Sequence, residues 1–239
     1  MLKLFALSLL LGVALADFDE QKLFKRLFED YERVRPVKDV SKPINIELQL
    51  NLISFHYSSD RRAMTAQFYL LIKWTDPLLT WDKNEYGGLS RIILPPNIAW
   101  TPDITAFIDL NDDNDADDDS EYRVQSDYNG QVIHVPVRQY TFPCTHTKDH
   151  KISCSIALGS WAYGASQLSL STPQKDMNID WVVPHEKYAI VDTDVEHHIS
   201  EFPGYDDKYH DVTGTIVIEK RAKGDTGTTA GHAEGQCEK

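Results

Sequence analysis

No stretch beyond residue 16 is apolar for the roughly 20 residues that a membrane-spanning helix needs. Phosphate-binding loops, the nucleotide fingerprint G-x-G-x-x-G, the zinc motif H-E-x-x-H and the hydrolase elbow G-x-S-x-G are all missing. The nine histidines are scattered. Their one cluster, His197-His198, is expected to split across the two faces of a strand, a poor arrangement for a metal. Carboxylates abound, but spacing places none of them as an acid/base couple, so an enzyme is not expected. Basic residues are few, 24 against 37 acidic ones. The resulting net charge of −13 disfavours a nucleic-acid or anionic-membrane partner. No N-x-[ST] sequon occurs. Cysteine is scarce as well, with only Cys144, Cys154 and Cys237.

What is there begins with Met1–Ala16. Lys3 supplies a positive end, Leu4–Val13 an apolar run, and Ala14-Leu15-Ala16 a small-residue cleavage pattern. Together they read as a secretory leader, the alternative being a buried N-terminal helix. Export implies an oxidising extracellular space, where Cys144 and Cys154 are the natural pair. Cys237 is left in a polar tail, 222–239, either free or joining two chains.

Between leader and tail the periodicity changes once. Over Phe18–Arg35, Leu23, Leu27 and Tyr31 recur at helical spacing, with Phe24 and Phe28 beside them, and Pro36 stops the pattern. From Ile44 the period is two: Ile44, Ile46, Leu48, Leu50 and Leu52 alternate with polar residues. Further strands are expected at Ala63–Trp74, Ser90–Leu94, Gln131–Arg138, Ile152–Ala157, Gln167–Ser171, Tyr188–His197 and Gly214–Glu219. Turn residues such as Pro95-Pro96, Asn129-Gly130 and Pro203-Gly204 separate them. One helix followed by many short strands implies an all-β antiparallel sandwich, a single domain over 17–221. The acidic run Asn111–Asp119 offers alternating oxygens at Asp113, Asp115 and Asp117. An EF-hand is excluded, because Asp118 and Val124 stand where its glycine and bidentate glutamate belong. A looser calcium site and a solvated acidic loop both remain readings of that run, and no other cofactor is indicated.

Several separate segments, in order, carry a family likeness. They are Val34-Arg35-Pro36-Val37; Trp74-Thr75-Asp76-Pro77-Leu78-Leu79-Thr80-Trp81; Trp100-Thr101-Pro102-Asp103; Gly159-Ser160-Trp161-Ala162-Tyr163; and Tyr209-His210-Asp211-Val212-Thr213. From Phe18 to Arg221 the chain resembles the extracellular ligand-binding domains of Cys-loop receptors, the pentameric ligand-gated channels. Having no recognisable membrane helix, it is most similar to the soluble acetylcholine-binding proteins of invertebrates. The resemblance implies an immunoglobulin-like, nicotinic-type sandwich, a secreted homopentamer, and sites between subunits for a small, cationic amine. On the principal face it implies Phe107, Trp161 and Tyr209, with Phe202 as a further aromatic and Tyr205 as its competitor. On the complementary face it implies Tyr69, Ile133 and Val135. By contrast, Trp74, Trp81 and Trp100 are expected in the core.

The departures from that family carry information. The adjacent cysteine pair at the late hairpin tip is replaced by Pro203-Gly204-Tyr205. Phe107 and Phe202 stand for tyrosines and lack their hydroxyls. Leu71 occupies the place where receptors for amino-acid transmitters carry an arginine. The loop between Cys144 and Cys154 is short and lacks the family's F-P-F-D core. These differences leave a second reading: an orphan member that holds another small molecule, or a structural partner that co-assembles with receptor subunits.

Overall fold

The structure, a computed structural model, describes residues 19–111 and 122–222. The leader, Asp113, Asp115 and Asp117 of the acidic run, and Cys237 lie outside the described residues. A helix, α1, covers 19–28 and is followed by eleven strands. These are β1 (Ile44–Ser58), β2 (Ala63–Thr80), β3 (Arg91–Leu94), β4 (Ile104–Ala106), β5 (Val124–Asp127), β6 (Asn129–His134), β7 (Val137–His146), β8 (Ile152–Ser160), β9 (Leu168–Ser171), β10 (Tyr188–Glu201) and β11 (Lys208–Lys220).

α1 ends seven residues earlier than its periodicity suggests. Leu23 and Leu27 bury fully against the strands. The chain then leaves the helix, so that the Tyr31 hydroxyl donates to Asp76 at 2.7 Å and accepts from the Trp100 amide at 3.1 Å. Arg35, disfavoured in helix by the following Pro36, donates instead to the carbonyls of Lys42 (2.8 Å) and Gln167 (3.2 Å).

The strands form an antiparallel sandwich, apart from one parallel pairing of β1 with β9. One layer is built on β1, β2, β5 and β6, the other on β8, β10 and β11, in the order β10-β11-β8-β7-β2. β7 belongs to both layers: Val137–Pro143 pairs with β2 and Cys144–His146 with β8. Cys144 and Cys154 are register partners there and form the disulfide expected from the sequence. Closing so short a loop stabilises the fold by roughly 2.5–3 kcal/mol on chain-entropy grounds.

The alternation in β1 and β2 decides what faces where. Ile46, Leu48 and Leu50 of β1 and Phe68, Leu70 and Ile72 of β2 are all buried in the core, each worth about 1.5–3 kcal/mol of transfer free energy. Their alternates point outward, where Lys73 pairs with Glu47 at 2.9 Å. A Cβ on Gly214 of β11 would lie 2.8 Å from Leu50 of β1, which is how closely the layers approach. The strand expected over Gln131–Arg138 is broken between β6 and β7. Pro136 has no amide to donate, yet its carbonyl still accepts from Leu70 at 2.9 Å. Trp74, Trp81 and Trp100 are core residues, as their pattern implies.

Candidate functional site

Three segments bring rings to one edge of the second layer. β4, which follows Trp100-Thr101-Pro102-Asp103, leads directly to Phe107, whose amide donates to the Ala157 carbonyl of β8 at 3.0 Å. β8 supplies the second segment and ends one residue before Trp161. Gly159 inside it is required by close approach. A Cβ there would sit 2.5 Å from Phe107 Cζ and 2.7 Å from the His210 carbonyl. The third segment is the hairpin of β10 and β11, whose register ends at Glu201↔Lys208 and leaves Phe202 and Tyr205 at the tip.

Asp103 fixes the loop that carries Trp161. Its Oδ1 accepts from the Ser160 hydroxyl at 2.6 Å, and its Oδ2 from the amides of Trp161 (3.1 Å) and Ala162 (2.9 Å). Ser160 Oγ in turn accepts from the Tyr163 amide at 2.8 Å. Trp100 Nε1 donates to the Tyr163 hydroxyl at 3.4 Å, and the Trp100 ring meets those of Tyr163 (6.1 Å) and Trp74 (5.9 Å) edge to face. An exposed tryptophan therefore hangs from the buried core. Asp103→Ala removes three accepting contacts at once and is expected to cost about 1–3 kcal/mol in urea unfolding, with weakened binding at Trp161. A variant as stable as the parent would show that the clamp is idle.

The hairpin tip is attached to the same loop. Asp207 accepts from the Ser166 amide (3.2 Å), from the Ser166 hydroxyl and from the Lys208 amide (2.9 Å). The Ala165 amide donates to the Lys208 carbonyl at 2.6 Å. Gly164 leaves room for this contact, since a Cβ would fall 2.3 Å from the Asp207 carboxylate.

The five rings form a continuous edge-to-face series. Trp161 meets Phe107 at 5.4 Å, Phe107 meets Phe202 at 6.1 Å, Phe202 meets Tyr209 at 5.6 Å, and Tyr209 meets Tyr205 at 6.1 Å. With Ser160 they line a hollow of about 120 Å³, the liquid volume of about four waters and enough for a small head group. Phe202 and Tyr205, rivals for one place in the sequence, both line it. The hollow is open: Trp161 is 63% exposed and Tyr205 67%. Rings in this arrangement present negative faces and attract a cation by ~0.5–2 kcal/mol per contact. Nearby His210 is held below the ordinary histidine value, first by burial and then by His197, whose Nε2 lies 2.7 Å from His210 Nδ1. His210 is thus neutral at physiological pH and does not repel a cation.

Tyr69, Ile133 and Val135 lie elsewhere on the molecule. Tyr69 and Ile133 occupy the outward side of the first layer, opposite Val137 and Lys73 respectively, and Val135 stands in the break after β6, 40% exposed. None of the three lines the ring hollow within one chain. Asp103, Gly159 and Asp207 were not legible as site residues. Asp103 was visible only as part of W-x-P-D, and Asp207 had no sequence signal. Among the described residues no group of three or more histidines, cysteines or carboxylates is placed to hold a metal.

Residues 20–222 match the family described as neurotransmitter-gated ion-channel ligand binding domain. The human neuronal acetylcholine receptor subunit alpha-9 is 28% identical over 212 residues, covering 84% of this chain and 43% of the relative. The human alpha-3 subunit is 28% identical over 225 residues, 92% of this chain and 44% of the relative. The acetylcholine receptor subunit beta-like 1 of Drosophila melanogaster is 30% identical over 166 residues, 65% of this chain and 31% of the relative. The chain thus spans less than half the length of the curated relatives it matches.

Proposed function

Because this chain belongs to the neurotransmitter-gated ion-channel ligand-binding domain family, we propose that it binds a small organic cation reversibly in aromatic pockets between the subunits of a homopentamer. Phe107, Trp161, Phe202, Tyr205 and Tyr209 form the principal wall. Tyr69, Ile133 and Val135 of the neighbouring copy form the complementary wall. The observation that carries the reading is the open series of five rings, anchored from beneath by Asp103. Exposed aromatic surface of this kind marks a contact site, and half a box gains most when a second wall excludes water from it. A head-to-tail arrangement of identical copies sets one face of each subunit against a different face of the next and closes into a ring.

Several features shape the ligand. The curated relatives named above are acetylcholine receptor subunits, which favours an amine here. Phe107 and Phe202 offer no hydroxyls, so the guest is held by ring faces more than by hydrogen bonds. The overall charge of −13 raises the local concentration of cations. The leader pattern in Met1–Ala16 supports export, and a secreted binding protein of this kind would buffer or sense its ligand outside cells. The hairpin bearing Phe202, Tyr205 and Tyr209 closes over the guest. The replacement of the tip cysteine pair by Pro203-Gly204-Tyr205 favours a second reading, a family member that keeps the assembly but holds a different small molecule or joins receptor subunits.

Native mass spectrometry of the full chain with tetramethylammonium or choline separates these readings. The expected spectrum is a pentamer carrying up to five ligands. Ligand in hundredfold excess over its Kd adds about 2.7 kcal/mol to the stability of each occupied site. A folded monomer overturns the assembly, and an empty pentamer with every amine tried favours the second reading.

A further inference from the structure

A second cleft, sharing no lining residue with the ring hollow, opens between the end of β1 and the segment leading into β10. It measures about 490 Å³ and is walled by Phe55, His56, Tyr57, His185 and Tyr188. The segment is fixed by the Val183 amide, which donates to the Ile53 carbonyl of β1 at 2.8 Å. Phe55 and His185 stack at 5.1 Å and 20°, while Tyr57 meets Tyr188 edge to face at 5.4 Å. His185 also meets Tyr188 at 5.5 Å, so the rings form one packed aromatic wall along the cleft.

Two of its rings carry donors, and Ser54, Ser59, Glu186 and Lys187 complete the polar part of the lining. Tyr57 is only 5% exposed, and its buried hydroxyl has no hydrogen-bond partner among the described residues. An unmet buried donor is costly and rare. His185 Nδ1 accepts from the amides of Lys187 (3.1 Å) and Tyr188 (3.3 Å). The neutral imidazole must therefore carry its proton on Nε2, which leaves that atom a donor. Burial holds both groups neutral: it is the first cause of the lowered His185 and raised Tyr57 values. Lys187 and Arg221 put positive charge near His185, opposed by Glu186, which itself lines the cleft. Arg221 also ties the segment down, donating from Nε to the His185 carbonyl at 3.1 Å. Two cations thus stand against one carboxylate here, in a chain of net charge −13.

We propose that this cleft binds a small aromatic carboxylate, its ring against the wall formed by Phe55, His185 and Tyr188 and its carboxylate accepting from the Tyr57 hydroxyl and His185 Nε2. The site is independent of the cation site and takes a ligand of opposite charge.

Benzoate is the probe, with benzamide as its neutral counterpart, titrated into the full-length chain by calorimetry. Benzoate is expected to bind more tightly than benzamide, and to lose about tenfold in affinity in Tyr57→Phe and in His185→Phe, each of which keeps the ring and removes one donor. Trp161→Ala is expected to leave benzoate binding unchanged. Tyr57→Phe, tested without ligand, should melt at or above the parent temperature, because it removes a donor with nothing to bond. Equal binding of benzoate and benzamide, unchanged affinity in both variants, loss on Trp161→Ala, or no saturable binding at millimolar benzoate would each overturn the proposal. So would a lower melting temperature for Tyr57→Phe, since it would give that hydroxyl a partner within the fold.

Discussion

Replacing Trp161 by alanine is expected to weaken tetramethylammonium or choline binding at least 30-fold while leaving the protein folded. The side chain is 63% exposed, and its one ring contact among the described residues is with Phe107. Its removal costs about 1 kcal/mol of stability, the value of one edge-to-face pair. Binding suffers more, because an indole face over a desolvated cation contributes about 2 kcal/mol or more and truncating a central aromatic also admits water. Trp100→Ala is the matching control. Trp100 is buried and packs against Trp74 and Tyr163, so its loss costs about 3–5 kcal/mol and unfolds much of the population. Calorimetric titration beside thermal unfolding reads both variants. Unchanged affinity in Trp161→Ala would remove the ring hollow as the binding site.

Acid is expected to destabilise the fold through a buried histidine. His134 lies in β6 between Ile72 of β2 and Val124 of β5, only 2% exposed, with the Tyr122 ring at 6.5 Å. Burial lowers it to about 4, and a hydrogen bond with the Arg123 backbone offsets only part of that. The unfolded chain, titrating near 6.5, takes up a proton in the window where the native state does not. Stability is thus complete above pH 6.5 and falls as pH drops toward 4, with a slope approaching 1.4 kcal/mol per unit and a total of roughly 3 kcal/mol. Urea unfolding at several pH values across that window measures the slope, and His134→Leu should flatten it. A slope that persists in the variant would assign the acid sensitivity to other groups.

Much of the fold could be read in advance, because alternation in β1 and β2 is strict where one face is buried. Ile44 through Leu52 declared their strand and its inner face without help from any partner. The helix was overestimated because periodicity continues through Tyr31, whereas the tertiary hydrogen bonds to Asp76 and Trp100 pull that residue out of the helix. The alternation of Gln131–Arg138 runs through Pro136, yet that proline, with no amide to donate, separates β6 from β7. The five rings were reachable through family motifs, and the fold sets them around one hollow. The supporting residues were not reachable. Asp103 and Asp207 act on backbone amides many residues away, and such contacts leave no local spacing in a sequence. The same holds for Tyr57 and His185, which look like ordinary strand and loop residues until the fold sets them face to face.

The bonds of Asp207 bear on time as well as place. The tip of the β10–β11 arm is moored to the segment carrying Trp161 by Ser166, Ala165 and Lys208. On the proposed binding mode, a guest seated behind this moored arm departs when those ties part, whereas its arrival needs only diffusion to an open mouth. Cutting the mooring would then shorten the dwell of the guest far more than it slowed capture, and the protein's memory of a passing ligand would be set by contacts that lie outside the ring hollow.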